Sequence, residues 1–539
     1  MTPIFDQRCR TRERWAIAFL LAACVVLDVY RLGVPPLFDQ DEANYAEIAK
    51  EIVQTGDPVT LHVNGQPWYV HPPFYMWLVA VTGRFLGFSE WTVRIWSVFF
   101  SVVAVYATVL LGRALFNHRV GLLAGAILAF TLQYLVQSRL AVFDTVLLAW
   151  MLLAILAFYR GYQRRRRADY MQFFLYAGVA TLTKGPIGLV LAGLVIIAFV
   201  SLRRGWGRWR EVPWASGLVL YGAVGLSWYA VQILLHGRAF ISSNIGYYTL
   251  HRYFGVVEKH AAPWYFYIPV AIFGGFPWST FWPAAAALHG RRWGVSDGSL
   301  FVLLGVSIPI LFYSFAQTKL PGYIVTVFPF AAVGVAALWE PILASNRLTR
   351  PVRASLAVLL VLLAALLAGA ALFLAAQHPG PYQAARHTLL IPGVVLAAGI
   401  AASFVLGLAG RAVASFVTLC AAMGMTWVAT LTWVTPLVDA QMPIKPLAQA
   451  IRPVLQPDDR IVGYKMDIAV SLVFYSGHRT EWAETPAALR KALCAPGRVL
   501  LVITKEQLAK LTWVPPPMSL VAERAGTIVL LKPSSTRCT

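Results

Sequence analysis

The chain has 539 residues, of which 58% are hydrophobic and only 13% charged, with a mean hydropathy of +0.64. A soluble domain needs about a quarter of its residues charged to cover its surface, so this composition excludes an ordinary soluble protein. The net charge of +21 does not point to nucleic acid, because Arg falls in short clusters between apolar runs, the pattern of cytoplasmic loops on a membrane protein.

Crossing the hydrocarbon takes about 20 apolar residues as a helix. That ruler predicts thirteen spans, near 14–34, 92–114, 119–138, 143–161, 169–184, 186–202, 212–235, 264–288, 298–317, 322–340, 354–376, 387–409 and 412–435. Arg8, Arg10, Arg12 and Arg14 ahead of the first run imitate a signal peptide, but no small-residue cleavage site followed by a soluble domain comes after, so the run reads as a retained helix. The positive-inside rule orients the set. Cytoplasmic ends hold the Arg-rich N-terminus, Arg119, Arg164 to Arg167, Arg203, Arg204, Arg208, Arg210, Arg291, Arg292, Arg347, Arg350, Arg353 and Arg411.

Thirteen crossings put the C-terminal region on the outer side. From about 436 the chain is less apolar; Arg460 to Lys465, Arg498 to Thr504 and Thr527 to Lys532 read as strands and Lys505 to Leu511 as a helix, a small α/β domain over 436–539. Two long outer loops, 35–91 and 236–263, join the spans of a 1–435 membrane domain. Within the first, Asp41 to Gln54 has the pattern of an amphipathic helix lying at the interface. Cys9, Cys24, Cys420, Cys494 and Cys538 show no C-x-x-C spacing, and a Cys494–Cys538 disulfide is allowed on the outer side.

With this topology the unusual charges gather at one membrane face. They are Asp39, Asp41, Glu42 and His71 in the first loop, Arg139 and Asp144 before the fourth span, Lys184 between the fifth and sixth, His251, Arg252, Glu258, Lys259 and His260 in the second loop, and Lys319 with Tyr323 after the ninth. Each taken alone reads equally well as a wet loop charge. Asp144 and Lys184 depart from that reading, because they stand alone in apolar surroundings beside tight breaks. Cations hold phosphate and carboxylates handle a hydroxyl, amine or sugar, so the set suits an anionic, phosphorylated lipid headgroup. His62, His71, His236, His251 and His260 lie in the outer loops, and with carboxylates they could hold zinc, His260 being the leading candidate. No close His pair supports a metal site, and no cofactor is required.

The run Asp39-Gln40-Asp41-Glu42-Ala43-Asn44-Tyr45-Ala46-Glu47-Ile48 resembles the first-loop signature of the lipid A aminoarabinose transferase family, which belongs to the GT-C membrane glycosyltransferases and is related to the protein O-mannosyltransferases. The likeness continues through Gly56-Asp57, Pro72-Pro73, Ala141-Val142-Phe143-Asp144, Leu182-Thr183-Lys184-Gly185, His260-Ala261-Ala262-Pro263 and Lys319-Leu320-Pro321-Gly322-Tyr323, in family order over roughly the first 340 residues. Together these motifs in register are specific where each alone is weak. The chain departs from the pattern at Val70-His71-Pro72, where the family carries Glu-Lys-Pro.

The resemblance implies a polytopic α-helical GT-C protein that transfers a sugar, 4-amino-4-deoxy-L-arabinose, from undecaprenyl phosphate to lipid A phosphate, by inverting displacement, at the periplasmic face of the bacterial inner membrane. It implies an N-terminus in the cytoplasm, a periplasmic C-terminal domain and no nucleotide. Asp41 matches the first-loop catalytic aspartate and Asp144 a second one, with Glu42 beside the first; Lys184, Arg252, Lys319 and Tyr323 fall where family members meet lipid phosphates, and His71 and Tyr45 stand in the same motifs. A related enzyme with another polyprenyl-linked sugar, or a protein acceptor as in O-mannosylation, is the alternative. A flippase fits less well, since it would place its charges at the midplane, often in repeated halves. Nothing in the sequence demands more than a monomer.

Overall fold

The computed structural model describes residues 3–257, 260–376, 385–466 and 468–535. Glu258, Lys259 and Cys538, singled out above, lie outside these, as does the side chain of Cys9. Two compact units emerge. One comprises residues 1–32, 69–75 and 94–434, the other residues 33–68, 76–93 and 435–539.

The first unit is helical. Among the described residues of the chain, eight helices are long and apolar enough to cross a membrane: Glu90–Leu115, Asp144–Arg164, Trp214–Phe254, Asp297–Phe315, Pro321–Ser345, Arg350–Phe373, Thr388–Leu408 and Ala412–Asp439. The protein is therefore a multi-pass membrane protein. Reaching thirteen crossings requires that Pro3–Val29, Arg167–Lys184, Ile187–Leu202 and two interrupted segments also span. The expected helix 119–138 is broken into His118–Ala129 and Leu132–Gln137. Thr131 is extended at the break, and the freed Leu132 N–H donates to the Phe276 carbonyl at 3.0 Å. The expected span 264–288 is Tyr267–Gly274 and Trp282–Arg292, parted at Gly274-Gly275-Phe276-Pro277, where two glycines and a proline cannot sustain a helix.

One expectation needs correction. The region 236–263 is not a long loop from its start: the helix that begins at Trp214 runs to Phe254, kinked at Gly237 (φ 51°) and π-wound from Ile241 to His251. π-turns are uncommon and concentrate at functional sites.

The second unit holds a five-stranded sheet whose spatial order is Thr480–Ala483, Arg460–Tyr464, Val499–Thr504, Thr527–Lys532, Ser519–Arg524. The first two pairings are parallel and the last two antiparallel. Val499–Thr504 is buried at five of its six positions, as expected of a central strand covered on both faces. Leu489 and Leu493 of helix Pro486–Cys494 close the core against Val462, Leu501 and Ile503. Cys494 is disulfide-bonded, while Cys24 and Cys420 are free and buried.

The unit also contains the first-loop helix, Glu42–Thr55. Its apolar positions Ala43, Ala46, Ile48, Ala49 and Ile52 are all buried, and Val470–Ser476 packs against it. The helix is a covered element of a protein core, not a helix resting on lipid. Gly56 ends it in the left-handed conformation (φ 75°), the usual glycine C-cap.

Candidate functional site

In the first unit, Asp144 opens helix Asp144–Arg164 and Lys184 closes the next, Arg167–Lys184. A carboxylate at a helix N-terminus and an ammonium at a C-terminus each complement the helix dipole. The two helices pack together, which brings these ends to one place, and Lys184 Nζ donates to Asp144 Oδ1 in a largely buried ion pair. The ammonium also lies 5.0 Å from the Phe143 ring centre and 4.9 Å from that of Tyr323. Charge pairing and two aromatic faces fix a single lysine at the edge of an apolar region.

Gly185 follows at φ 86°, a conformation that spares a glycine and strains other residues. Gly322 serves a different purpose. A Cβ there would meet Gln137 Nε2 at 2.8 Å and Asp144 Oδ2 at 3.5 Å, so the glycine lets the Pro321–Val327 turn approach the ion pair without displacing the Gln137 amide.

Of these, Lys184, Gly185 and Tyr323 border a cavity of about 380 Å³ lined mainly by apolar and aromatic side chains. Its polar lining includes His71, Lys184, Asn244, Tyr248, Arg252 and Tyr323. Arg252 comes from the π-wound end of the long helix. Asn244, from the same stretch, donates to the Tyr69 carbonyl at 2.7 Å and so fixes the segment carrying His71. The His71 ring stands edge-on to Phe143 at 4.7 Å. Burial, with the Arg252 and Lys184 charges, holds its imidazole well below the ordinary range, so it is neutral at pH 7.

Two motif loops are stitched together beside this cavity. Lys319 N–H donates to the His260 carbonyl at 3.0 Å, Ala261 bridges Thr318, and Thr318 Oγ1 accepts from Val257 N–H at 3.0 Å. Lys319 itself is buried, its ammonium donating to the Ala316 carbonyl, and it is not among the cavity-lining residues. Burial lowers its basicity. Among the described residues, no group of three or more His, Cys, Asp or Glu gathers to hold a metal ion, and His260 serves the loop pairing through its carbonyl.

In the second unit, Asp41 is an exposed N-cap residue of helix Glu42–Thr55 with no side-chain capping bond. Tyr45 Oη donates to its Oδ1 at 3.4 Å, and Tyr45 is itself buried, edge-on to Trp68 at 6.2 Å. Gln40, the residue before, has φ 74°, a conformation that costs a non-glycine residue free energy and recurs at functional sites. Glu42 is 1% exposed and accepts from Phe38 N–H at 3.1 Å, which gives its carboxylate a turn-holding role. Asp39 accepts from Ser471 N–H at 2.8 Å, and burial pushes its carboxyl above the usual range against that bond.

Of the residues named from sequence, Lys184, Tyr323, Arg252 and His71 line one cavity, with Asp144 behind Lys184 through their ion pair; Asp41, Glu42 and Tyr45 belong to the other unit. Phe143, Asn244 and Gly322 were not singled out as site residues. Phe143 and Gly322 stand inside quoted motifs, and Asn244 is a lone amide near an apolar run, which is the signal each offered.

Residues 70–229 match the family described as dolichyl-phosphate-mannose-protein mannosyltransferase. The chain is 30% identical over 327 residues to an undecaprenyl phosphate-alpha-4-amino-4-deoxy-L-arabinose arabinosyl transferase of Pseudomonas aeruginosa, covering 58% of this chain and 57% of that protein. A protein of the same name from Enterobacter sp. (strain 638) is 27% identical over 335 residues, 61% of this chain and 60% of its own. The chain thus spans about three fifths of the length of these relatives. In fold it is similar to ArnT from Cupriavidus metallidurans, solved bound to undecaprenyl phosphate, with a TM-score of 0.84 at 22% identity over 96% of this chain and 98% of that one. The Archaeoglobus fulgidus oligosaccharyltransferase gives a TM-score of 0.53 at 12% identity, over 92% and 70%. The chain therefore has the GT-C fold and resembles the lipid A aminoarabinose transferase family in sequence and in architecture.

Proposed function

We propose that this protein transfers a sugar from a polyprenyl phosphate carrier to a phosphate-bearing lipid acceptor, the sugar being 4-amino-4-deoxy-L-arabinose, the carrier undecaprenyl phosphate and the acceptor lipid A. The work is done at the periplasmic face of the bacterial inner membrane, with the N-terminus in the cytoplasm. The observation that carries this reading is the apolar cavity bordered by Lys184 and Arg252 among aromatic rings. Such a lining accepts a prenyl chain and presents two permanent cations to its phosphate.

In the reaction, an acceptor phosphate oxygen attacks the anomeric carbon, a new C–O bond forms, and the bond from that carbon to the carrier phosphate breaks. The carrier departs with the electron pair. Lys184 and Arg252 stabilise the charge that grows on it, an electrostatic contribution concentrated in the transition state. Asp144 holds Lys184 in place. Asp41 is the acceptor-side aspartate. A phosphate whose second pKa is about 6 needs little deprotonation, so Asp41 orients the acceptor or binds the sugar's ammonium. A neutral His71 leaves two cations at the carrier phosphate instead of the three that a lysine there would supply.

The test is mass spectrometry of lipid A from cells lacking the protein, complemented with wild type or Asp41→Asn. A pentose-amine increment restored by wild type alone, with both proteins present in the membrane at equal level, is the expected result. Near-normal modification by Asp41→Asn overturns the role of that residue. An unmodified profile with wild type overturns the acceptor and moves the reading to another sugar or to a protein acceptor, which the match over residues 70–229 would favour.

A further inference from the structure

A second cavity, of about 230 Å³, lies between helices Glu90–Leu115 and Asp144–Arg164, far from the first. Arg160 is sixteen residues beyond Asp144 on the same helix, about 24 Å along its axis. The polar side chains on the wall are Arg113, Arg160, Arg164, Tyr159 and Gln163. Arg160 and Arg164 stand one turn apart on one helix face, a spacing at which like charges repel. Arg113 faces them from the other helix, next to Leu110 and Ala114, which give the cavity its apolar side.

The neighbouring arginines show what normally balances such charge. Arg165 meets Glu211 at 3.7 Å, Arg203 meets Asp297 at 2.7 Å, and Arg167 donates to Ser216 Oγ at 3.0 Å. For the three guanidinium groups of the cavity, the ion pair made among the described residues is that of Arg113 with Glu13, at 3.3 Å. The Gln163 amide is engaged elsewhere, donating to Tyr159 Oη at 3.1 Å and to Asp297 Oδ2 at 3.3 Å. The pocket therefore gathers three permanent cations against one carboxylate, with an apolar flank that belongs to a membrane helix.

We infer that Arg113, Arg160 and Arg164 form a receptor for the phosphodiester of an anionic membrane phospholipid. The guanidinium forks suit phosphate oxygens, basic pockets between membrane helices take acidic headgroups, and the Leu110 side lets acyl chains continue along the bundle. The charge pattern assigns this end of the helices to the cytoplasmic side, so the lipid belongs to the inner leaflet and is neither donor nor acceptor of the proposed transfer. The inference stands whether or not that transfer is correct.

The full chain, purified in detergent, is tested by native mass spectrometry and by thermal melting with phosphatidylglycerol, phosphatidylcholine or inorganic phosphate added. The wild type retains phosphatidylglycerol over phosphatidylcholine and melts higher with it. Arg160→Gln/Arg164→Gln loses roughly tenfold or more in retention, the scale expected for two charges near a headgroup. Arg160→Lys/Arg164→Lys keeps most of it, and Arg347→Gln/Arg350→Gln, a basic pair elsewhere, keeps all of it. Equal retention of the two lipids by wild type overturns the inference, even if the glutamine variant fails to fold. So does a glutamine variant that retains phosphatidylglycerol as wild type does. Stabilisation by inorganic phosphate equal to that by phosphatidylglycerol assigns the pocket to free phosphate and overturns the lipid.

Discussion

The two units hold their candidate carboxylates by different means. In the first, Asp144 is fixed by one ion pair with Lys184, wedged between the Phe143 and Tyr323 rings in an apolar cavity. In the second, Asp41 is exposed, and rigidity lies in the chain around it. Leu37 N–H donates to Tyr475 Oη at 2.8 Å, Asp39 accepts from Ser471 N–H, and Lys50 donates to the Phe474 carbonyl at 3.2 Å. Tyr475 in turn donates to Glu90 at 2.9 Å, which pairs with Lys445 at 2.5 Å. One unit grips a side chain; the other grips a backbone and leaves the side chain exposed. Under the proposed function the difference follows: a carboxylate that orients a cation can be locked, whereas one that receives a substrate must remain accessible.

The largest effect expected from breaking this arrangement is at Lys184. Lys184→Met removes a cation from the cavity and leaves Asp144 uncompensated, so turnover should fall about a hundredfold or more, and stability by about 3 kcal/mol, since an orphaned buried charge is costly. Lys184→Met/Asp144→Asn should recover stability without recovering turnover. Recovery of both would mean that the pair is structural alone. In the second unit, Tyr475→Phe removes the bonds to Leu37 and Glu90 and should cost about 1–3 kcal/mol. Hydrogen exchange should then quicken over residues 37–41, with kcat lowered more than KM. Unchanged exchange there would show that the C-terminal segment does not support the Asp41 turn.

Much of this was legible from residue order, for physical reasons that differ by element. Asp144 and Lys184 stood out because a lone charge beside a tight break in an apolar run is expensive unless paired, and they pair with each other. The Glu42–Thr55 helix was legible in its periodicity, but its partner was not, because Leu37 and Tyr475 are 438 residues apart in sequence. The strands Thr480–Ala483 and Ser519–Arg524 carried little signal because both are sheet edges that carry charged residues. The π-wound stretch reads as loop because Ser242, Ser243, Asn244 and Gly246 are poor helix formers. What holds them helical is tertiary, the Asn244 bonds to the Tyr69 and Val70 carbonyls among it.

The smallest of the three effects sharpens the contrast from the cavity side. His71 is half-buried on the cavity wall near Arg252 and Lys184, the latter paired with Asp144, and its imidazole is held well below the ordinary range by desolvation first and by those cations second. An unfolded histidine titrates near 6.5. Above that pH the ring is neutral in both states and contributes no pH dependence. As the pH falls below about 6.5, the unfolded chain takes up a proton that the folded cavity refuses, so stability declines, by at most about 1.4 kcal/mol per pH unit for one group. The decline continues down to the folded-state value. Melting followed between pH 7.5 and 5 should therefore show an acid loss in wild type that His71→Gln lacks; parallel profiles would mean that the ring is accessible or anion-paired. An anion held by Lys184 and Arg252 offsets the same repulsion. Inorganic phosphate, or a prenyl phosphate in detergent, should flatten the wild-type profile and leave that of His71→Gln unmoved, separating a cavity that excludes protons from one that merely excludes water.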